Sequence, residues 1–298
     1  MMLLRILRFP LTRLVIASGA LGGAWFGVQS LLLATGAIPE IGDATASPHL
    51  SSIATLVAFL LVYLTYVRLV EWRPVRELSI KGAPLELGAG VFAGAGLFAL
   101  TIVSIWAAGC YEVTGVNRAL AAAPALSLAL ASGFAEEILV RGVIFRITEE
   151  GLGTWLAIVI SALLFGLAHA ANPQASVVSG LAVALEAGVL LAAAFILTRR
   201  LWLAIGLHFA WNFVQGGVFG VAVSGHPIDG LLKGRLSGPP ILSGGPFGAE
   251  ASVFAVAYCL AAGVFLLVKA HGMGRFVAAP WRRSSAARPA ASITIDAR

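Results

Sequence analysis

The chain has 298 residues, of which 59% are hydrophobic and only 11% are charged. Soluble domains carry about 25% charged residues, so this composition excludes an ordinary soluble domain and indicates an integral membrane protein. The formal net charge of +6 therefore concerns membrane topology, and it gives no reason to expect a nucleic-acid partner.

Apolar runs of about 17 to 25 residues are long enough to cross, as helices, a hydrocarbon core about 30 Å thick. Lipid offers the backbone no hydrogen-bond partner, and these runs lack the alternation of barrel strands. The sequence therefore predicts an all-α fold, a polytopic transmembrane helical bundle of about eight spans. In chain order, the eight predicted spans cover residues 14–34, 53–67, 89–108, 119–147, 155–171, 177–197, 201–223 and 251–268.

The basic residues alternate between the predicted connections as the positive-inside rule describes. Only Arg118, Lys233 and Arg235 lie on one side, whereas 17 of the 20 basic residues lie on the other. We therefore expect both termini to be cytoplasmic, and the absence of an organelle-targeting signal favours a bacterial inner membrane. The 17 residues are Arg5, Arg8, Arg13, Arg68, Arg73, Arg76, Lys81, Arg141, Arg146, Arg199, Arg200, Lys269, Arg275, Arg282, Arg283, Arg288 and Arg298.

The same map divides the chain into four predicted regions. Residues 1–118 hold helices 1 to 3 with a basic cytoplasmic loop, and residues 119–223 hold the central helices 4 to 7. Residues 224–270 hold an external loop rich in Gly and Pro, followed by helix 8. That loop is interpreted either as a flexible cap over the bundle or as an ordinary linker. Residues 271–298 are small, basic and polar, so a disordered tail is predicted.

Three charged residues, Glu136, Glu137 and Arg141, lie inside the fourth predicted span. An ionised side chain near the bilayer centre costs about 2.5 to 3.5 kcal/mol on insertion scales, so charged residues there are expected to have a structural or chemical role. Glu137 and Arg141 are four residues apart on one helical face, and they can form an ion pair that is either structural or part of a site. Glu136 is turned about 100° away and is left to face other groups.

The fifth and seventh predicted spans supply polar groups at helical spacing. Phe165 and His169 lie four residues apart in one span, and His208 and Asn212 lie four apart in the other. Either histidine alone would be interpreted as an ordinary buried side chain. Together with Glu136, however, a carboxylate, two imidazoles and an amide from three helices can converge in a buried cavity, and such a set suits hydrolysis.

The motifs EExxxR, FxxxH and HxxxN, in this order on successive spans, resemble those of the CPBP family, the CAAX-protease and bacteriocin-processing (Abi) intramembrane endopeptidases. The type II CAAX prenyl endopeptidase is a eukaryotic relative. The motifs occur here at residues 136–141, 165–169 and 208–212, so the resemblance covers about residues 120–213. It implies that the central helices form a catalytic core with an active-site cavity. The expected reaction is hydrolysis of peptide bonds in a membrane-associated protein or peptide.

The resemblance also implies a role for each polar residue. Glu136 and His169 would activate a water that attacks the peptide carbonyl, and His208 and Asn212 would stabilise the oxyanion. Glu137 and its arginine partner would shape the site. The family is usually regarded as a group of metal-independent glutamate proteases, so no cofactor is expected. Counting residues from the span ends favours a site that opens toward the cytoplasm.

Three alternatives stay open at this point. A zinc enzyme is one, because Glu136, His169 and His208 are possible Zn²⁺ ligands, although no HExxH motif occurs. A non-catalytic scaffold or bacteriocin-immunity protein of the same fold is another. The third is a proton-coupled transporter, because intramembrane Glu and His also build proton relays. Glu186 lies within a span, and the sequence assigns it no role. The expected partners are a peptide or membrane-protein substrate and the lipid bilayer.

Overall fold

The computed structural model describes residues 9–38, 40 and 48–282, and over these residues the predicted all-α helical bundle is confirmed. Helices lie over all eight predicted apolar runs. Five of the described helices are long and apolar enough to cross a membrane, so the chain is a multi-pass membrane protein. The helices are α1 (Pro10–Ala34), α2 (Pro48–Leu69), α3 (Ala83–Ala107), α4 (123–152), α5 (Thr154–His169), α6 (Val177–Thr198), α7 (202–218) and α8 (Val253–Gly272).

Three of these helices contain a π-helical stretch, a widened turn that occurs often at functional sites. The stretches are Ile138–Phe145 in α4, Ala184–Gly188 in α6 and Phe213–Val218 in α7. The hydrophobic pattern predicts regular helices at these positions, because a widened turn leaves no clear mark on hydropathy. Two of the stretches begin directly after motif residues, so they affect how the candidate site is built.

Small residues let α3 and α7 pack with their backbones in contact. A Cβ atom at Gly90 would lie 2.4 Å from the carbonyl oxygen of Leu203, and one at Gly94 would lie 2.4 Å from the carbonyl oxygen of Leu207. Two glycines four residues apart form the small-xxx-small pattern that brings membrane helices close together. This approach fixes the rotation of α7 and therefore the direction of the neighbouring His208.

One end of the bundle is held by arginine–glutamate pairs, and we call this group of Arg13, Glu71, Arg73, Glu77 and Arg146 the arginine end. Nη2 of Arg146 lies 2.8 Å from Oε1 of Glu71, and Nη2 of Arg73 lies 2.6 Å from Oε1 of Glu77. Arg13 also pairs with Glu71. These contacts join three parts of the chain: α1, the segment that follows α2, and α4. The positive-inside rule predicts that this end faces the cytoplasm.

The opposite end is covered by the segment between α7 and α8, residues 219–252, which we call the cover segment. Within it, strand β2 (Leu232–Leu236) pairs antiparallel with β1 (Tyr111–Val116), which follows α3. Phe247 and Glu250 of the cover segment are each only 2% exposed. The segment is therefore a packed cover and not a free linker, and several of its glycines have the positive φ angles of tight turns.

The prediction of disorder from residue 271 is wrong for the part of the tail that the structure describes. α8 continues to Gly272. Farther on, the N–H of Thr154 donates to the carbonyl oxygen of Val277 at 3.0 Å, and the N–H of Val277 donates to the Thr154 hydroxyl at 2.8 Å. These bonds tie the tail to the start of α5. The rest of the predicted tail, residues 283–298, lies outside the described residues, as do the basic residues Arg5, Arg8, Arg283, Arg288 and Arg298.

Candidate active site

Helices α4, α5 and α7 bring a carboxylate and two imidazoles together inside the bundle. Oε2 of Glu136 lies 4.0 Å from Nε2 of His169 and 3.8 Å from Nε2 of His208. This oxygen is buried and has no hydrogen-bond partner among the described residues. Both separations are longer than a direct hydrogen bond and short enough for one small group to bridge the three atoms.

The ring of His169 is oriented by its own helix. Its Nδ1 lies 2.9 Å from the carbonyl oxygen of Phe165, one turn earlier in α5. A carbonyl oxygen only accepts hydrogen bonds, so Nδ1 carries the proton and Nε2 of the neutral ring presents a lone pair toward Glu136. The aromatic ring of Phe165 lies 4.5 Å from the imidazole, centre to centre, and packs against it.

Glu137 holds His208 and Arg141 at the same time. Its Oε1 accepts a hydrogen bond from Nη1 of Arg141 at 2.8 Å and one from Nδ1 of His208 at 2.9 Å. Both members of the ion pair are fully buried. Because a carboxylate paired with a guanidinium is an acceptor, Nδ1 of His208 carries a proton and Nε2 faces Glu136. The predicted ion pair therefore both joins one turn of α4 and orients the second imidazole.

Arg141 is anchored by the π-helical stretch of α6. Its Nη2 donates to the carbonyl oxygens of Ala187 at 3.0 Å and Gly188 at 3.2 Å. Its guanidinium carbon lies 4.9 Å from the centre of the Phe165 ring, which is a cation–π distance. The prediction that counts Arg141 among the basic residues at the membrane surface is wrong. Its side chain is fully buried, and its hydrogen-bond partners lie inside the bundle.

The amide of Asn212 is oriented by a serine that the motif pattern does not include. Nδ2 of Asn212 donates to Oγ of Ser132 at 3.0 Å, and that hydroxyl donates to the carbonyl oxygen of Ala129 at 3.4 Å. Ser132 lies one turn before Glu136 on α4. A serine in an apolar helix gives no signal of this kind in the sequence, because its partner lies 80 residues away.

A cavity of about 30 Å³ extends from the two imidazoles to two further carboxyl groups. Its lining includes His169, His208 and Asn212 as well as Glu186 and Glu250. Both glutamates are almost fully buried, and the thiol of Cys259 contacts Glu186. Neither glutamate belongs to a motif, so the sequence assigns no role to Glu186 and does not single out Glu250.

The opening toward the cytoplasm stays a prediction, and the small cavity reaches the cover segment. Ser224 and Glu250, both from the cover segment, line the small cavity, and the sequence assigns that segment to the external side. Glu136 is 35% exposed, and it also lines a groove of about 290 Å³ between α1, α2 and α4. Glu136 therefore lies where this groove meets the histidines.

The residues that could hold a metal are the same three that form the centre. Their atoms are suited to Zn²⁺, which binds imidazole nitrogens and carboxylate oxygens. Over the residues that the structure describes, no group of three or more His, Cys, Asp or Glu side chains has an arrangement recognised as a metal site.

The chain is thus a membrane-embedded helical bundle whose interior brings a carboxylate beside two imidazoles. Residues 117–214 match the family model described as type II CAAX prenyl endopeptidase Rce1-like. This match spans the motifs on α4, α5 and α7, and it confirms the resemblance to the CAAX family of intramembrane proteases. No curated protein and no solved structure matches the chain significantly. The family match is thus a likeness to membrane proteases over residues 117–214.

Proposed function

We propose that this chain is an intramembrane endopeptidase in which Glu136 and His169 activate water for attack on a peptide carbonyl. The observation that carries the proposal is the approach of Oε2 of Glu136 to Nε2 of His169 and of His208, at 4.0 and 3.8 Å. The match to the Rce1-like family supports peptide hydrolysis as the reaction. The substrate is a membrane-associated protein or peptide.

Water is suited to the space between Glu136 and His169 because both facing atoms are hydrogen-bond acceptors. The carboxylate oxygen and the Nε2 lone pair repel each other directly, whereas a water molecule donates one O–H to each. A water held in this way keeps its own lone pairs free for attack. Glu136 then acts as the general base, a role in which a positioned side chain contributes about 10²- to 10⁴-fold to the rate.

The proposed reaction proceeds through a tetrahedral intermediate. An O–H bond of the water breaks, the proton moves to Glu136, and a C–O bond forms at the carbonyl carbon. Asn212 donates its remaining amide N–H to the oxyanion, and His208 donates from Nε2 when its ring is protonated on both nitrogens. The oxyanion itself balances the charge of the protonated ring, and Glu137 accepts the hydrogen bond from Nδ1 of His208. The C–N bond then breaks, and Glu136 returns the proton to the leaving amine.

The decisive experiment uses protein purified in detergent and a library of fluorogenic peptides. Glu136→Gln keeps the shape of the side chain and removes the base, so we expect cleavage to fall by about 100-fold or more. Glu112→Gln is the matched control, because Glu112 is half exposed on β1 and belongs to none of the motifs. Cleavage by Glu136→Gln at the rate of the parent protein would contradict the proposal.

The same assay separates water activation by Glu136 from zinc catalysis. We expect cleavage to survive a strong chelator. Loss of cleavage with chelator and recovery with added Zn²⁺ would instead make Glu136, His169 and His208 metal ligands.

A further inference from the structure

A tight β-turn in the cover segment, Val223–His226, lies beside the candidate site. The N–H of Val223 donates to the carbonyl oxygen of His226 at 3.0 Å, and the reverse bond is 2.9 Å. The two central residues, Ser224 and Gly225, have φ angles of 49° and 83°. Positive φ at both central positions is the type I′ geometry of tight hairpins. Serine adopts such an angle only where its surroundings hold it there.

On one side, the turn contacts the chain that directly follows His169. The side-chain amide of Asn172 donates to the carbonyl oxygen of Ser224 at 3.1 Å. The backbone N–H of Asn172 in turn donates to the carbonyl oxygen of His169 at 3.1 Å. A Cβ atom at Gly225 would lie 1.7 Å from the carbonyl oxygen of Pro173, so the two backbones are in direct contact.

On the other side, Glu250 and Phe247 hold the same turn. The N–H of Ser224 donates to Oε1 of Glu250 at 2.5 Å, and the N–H of Gly225 donates to the carbonyl oxygen of Phe247 at 2.6 Å. The second carboxylate oxygen of Glu250 accepts a hydrogen bond from Gln215 in the π-helical stretch of α7. Glu250 therefore links the turn to the helix that carries the second imidazole.

We propose that the Val223–His226 turn and Glu250 are positioning elements for His169. His169 is the last residue of α5, and helix ends fray unless the residues that follow are held. The turn holds those residues through Asn172 and Pro173, outside all three motifs. Because a displacement of about 1 Å can cost about 10²-fold in rate, this support sets the spacing between His169 and Glu136. The inference rests on the proposed function for its effect on catalysis.

Two glycine substitutions provide the first test. Gly225 and Gly109 both have positive φ, and a Cβ atom at Gly109 would meet no atom within 4 Å. The alanine variants therefore share the backbone penalty, but only Gly225→Ala pushes the turn away from Pro173. We expect Gly225→Ala to lower kcat by about 100-fold with KM within about twofold. We expect Gly109→Ala to keep both parameters, and equal kcat in the two variants would overturn the inference.

Substitution of Glu250 separates its positioning role from a general loss of packing. Glu250→Gln keeps an oxygen that accepts the N–H of Ser224 and loses only the acceptor that faces Gln215, whereas Glu250→Ala removes both acceptors. We expect kcat to stay within about threefold in the glutamine variant and to fall by about tenfold in the alanine variant. Asn172→Ala breaks the other contact to Ser224 and should resemble Glu250→Ala. Equal losses in the glutamine and alanine variants of Glu250 would contradict the role assigned to its oxygen.

Hydrogen exchange tests the positioning independently of any substrate. The amides of residues 170–172 and 175 form turn hydrogen bonds just after α5. We expect them to exchange at least about tenfold faster in Gly225→Ala than in Gly109→Ala. If the parent protein cleaves no peptide but this difference is found, the proposed function fails and the positioning stands. If exchange is the same in the two folded variants, the positioning is refuted whatever the activity.

Discussion

The buried glutamates at the arginine end and those around the cavity have opposite surroundings. Glu71 accepts hydrogen bonds from three arginines, and Arg73 pairs with both Glu71 and Glu77. At the candidate site, the partly exposed Glu136 and the buried Glu250 form no salt bridge with an arginine among the described residues. Carboxylates that share several guanidinium groups hold helices together, whereas carboxylates without a cation remain available for proton transfer. The glutamates at the arginine end are therefore structural, whereas Glu136 is free for the proposed role as a base.

The pKa values of two glutamates outside the spans follow this division. Burial alone would raise the pKa of Glu71, but Arg146 and Arg13 bring it below its usual 4.5. Burial raises the pKa of Glu250 to about 7, and its hydrogen bonds to backbone N–H groups and to Gln215 oppose that rise only in part. The contribution of Glu71 to the free energy of unfolding should therefore be lost at low pH, whereas that of Glu250 should be lost at high pH.

The largest expected effect comes from removing the one arginine inside the site. Arg141→Met leaves Glu137 fully buried without its cation, so we expect a loss of about 3 to 5 kcal/mol in the free energy of unfolding. Glu137→Gln together with Arg141→Met removes both charges and should recover part of that loss. Unfolding in detergent, followed by thermal or denaturant titration, measures both. If the double variant is no more stable than Arg141→Met, the loss does not come from a stranded charge.

A smaller effect is expected from the pH dependence of Glu250. Its folded pKa of about 7 lies above the unfolded value of 4.5, so its stabilising contribution is present below pH 4.5 and is lost as the pH rises through 7. The difference is on the order of 3 kcal/mol. The stability of the parent protein relative to Glu250→Gln should therefore fall between pH 4.5 and 8. A flat difference over that range would show that Glu250 titrates normally.

Glu71 should show the reverse dependence with a somewhat smaller size. Its lowered pKa means that its contribution is present above pH 4.5 and is lost as the pH falls below that value. At neutral pH we expect Glu71→Gln to cost about 2 kcal/mol, since hydrogen bonds to charged groups are being lost. The variant and the parent should converge in stability at acidic pH and cleave peptides equally at neutral pH. If Glu71→Gln lost as much activity as Glu136→Gln, Glu71 would not be a purely structural residue.

The smallest expected effect is a gain in stability at the turn. Ser224→Gly places glycine at a φ of 49°, where an L side chain is strained. We expect a gain of about 0.5 kcal/mol in the free energy of unfolding and an unchanged kcat. A lower melting temperature would mean that the serine side chain contributes more than its backbone strain costs.

Hydropathy was sufficient to predict the helices, because lipid requires long apolar runs. The sixth predicted span, residues 177–197, matches α6 (Val177–Thr198) almost residue for residue. α2 and α3 begin five or six residues earlier than predicted, at Pro48 and Ala83, because their first turns contain polar residues. Helix ends are set by local hydrogen bonding and are poorly marked by hydropathy.

Only those residues of the candidate site that belong to a motif could be predicted from the sequence. Glu136, His169 and His208 were predicted to converge, and the structure brings them together. The supporting residues were not predicted, because Ser132 and Glu250 act through partners 80 and 26 residues away. Contacts at such separations follow from tertiary packing and produce no local periodicity in the sequence.

A π-helical stretch holds about one residue more than a regular α-helix of the same rise. Deleting one residue from Ile138–Phe145, such as Ile144, would therefore let α4 return to regular hydrogen bonding and keep the flanking parts of the helix close to their present orientation. The same deletion in a regular α-helix would instead turn everything beyond it by about 100°. Substitutions leave the number of backbone units unchanged, so only a deletion of this kind tests what the widened turn contributes.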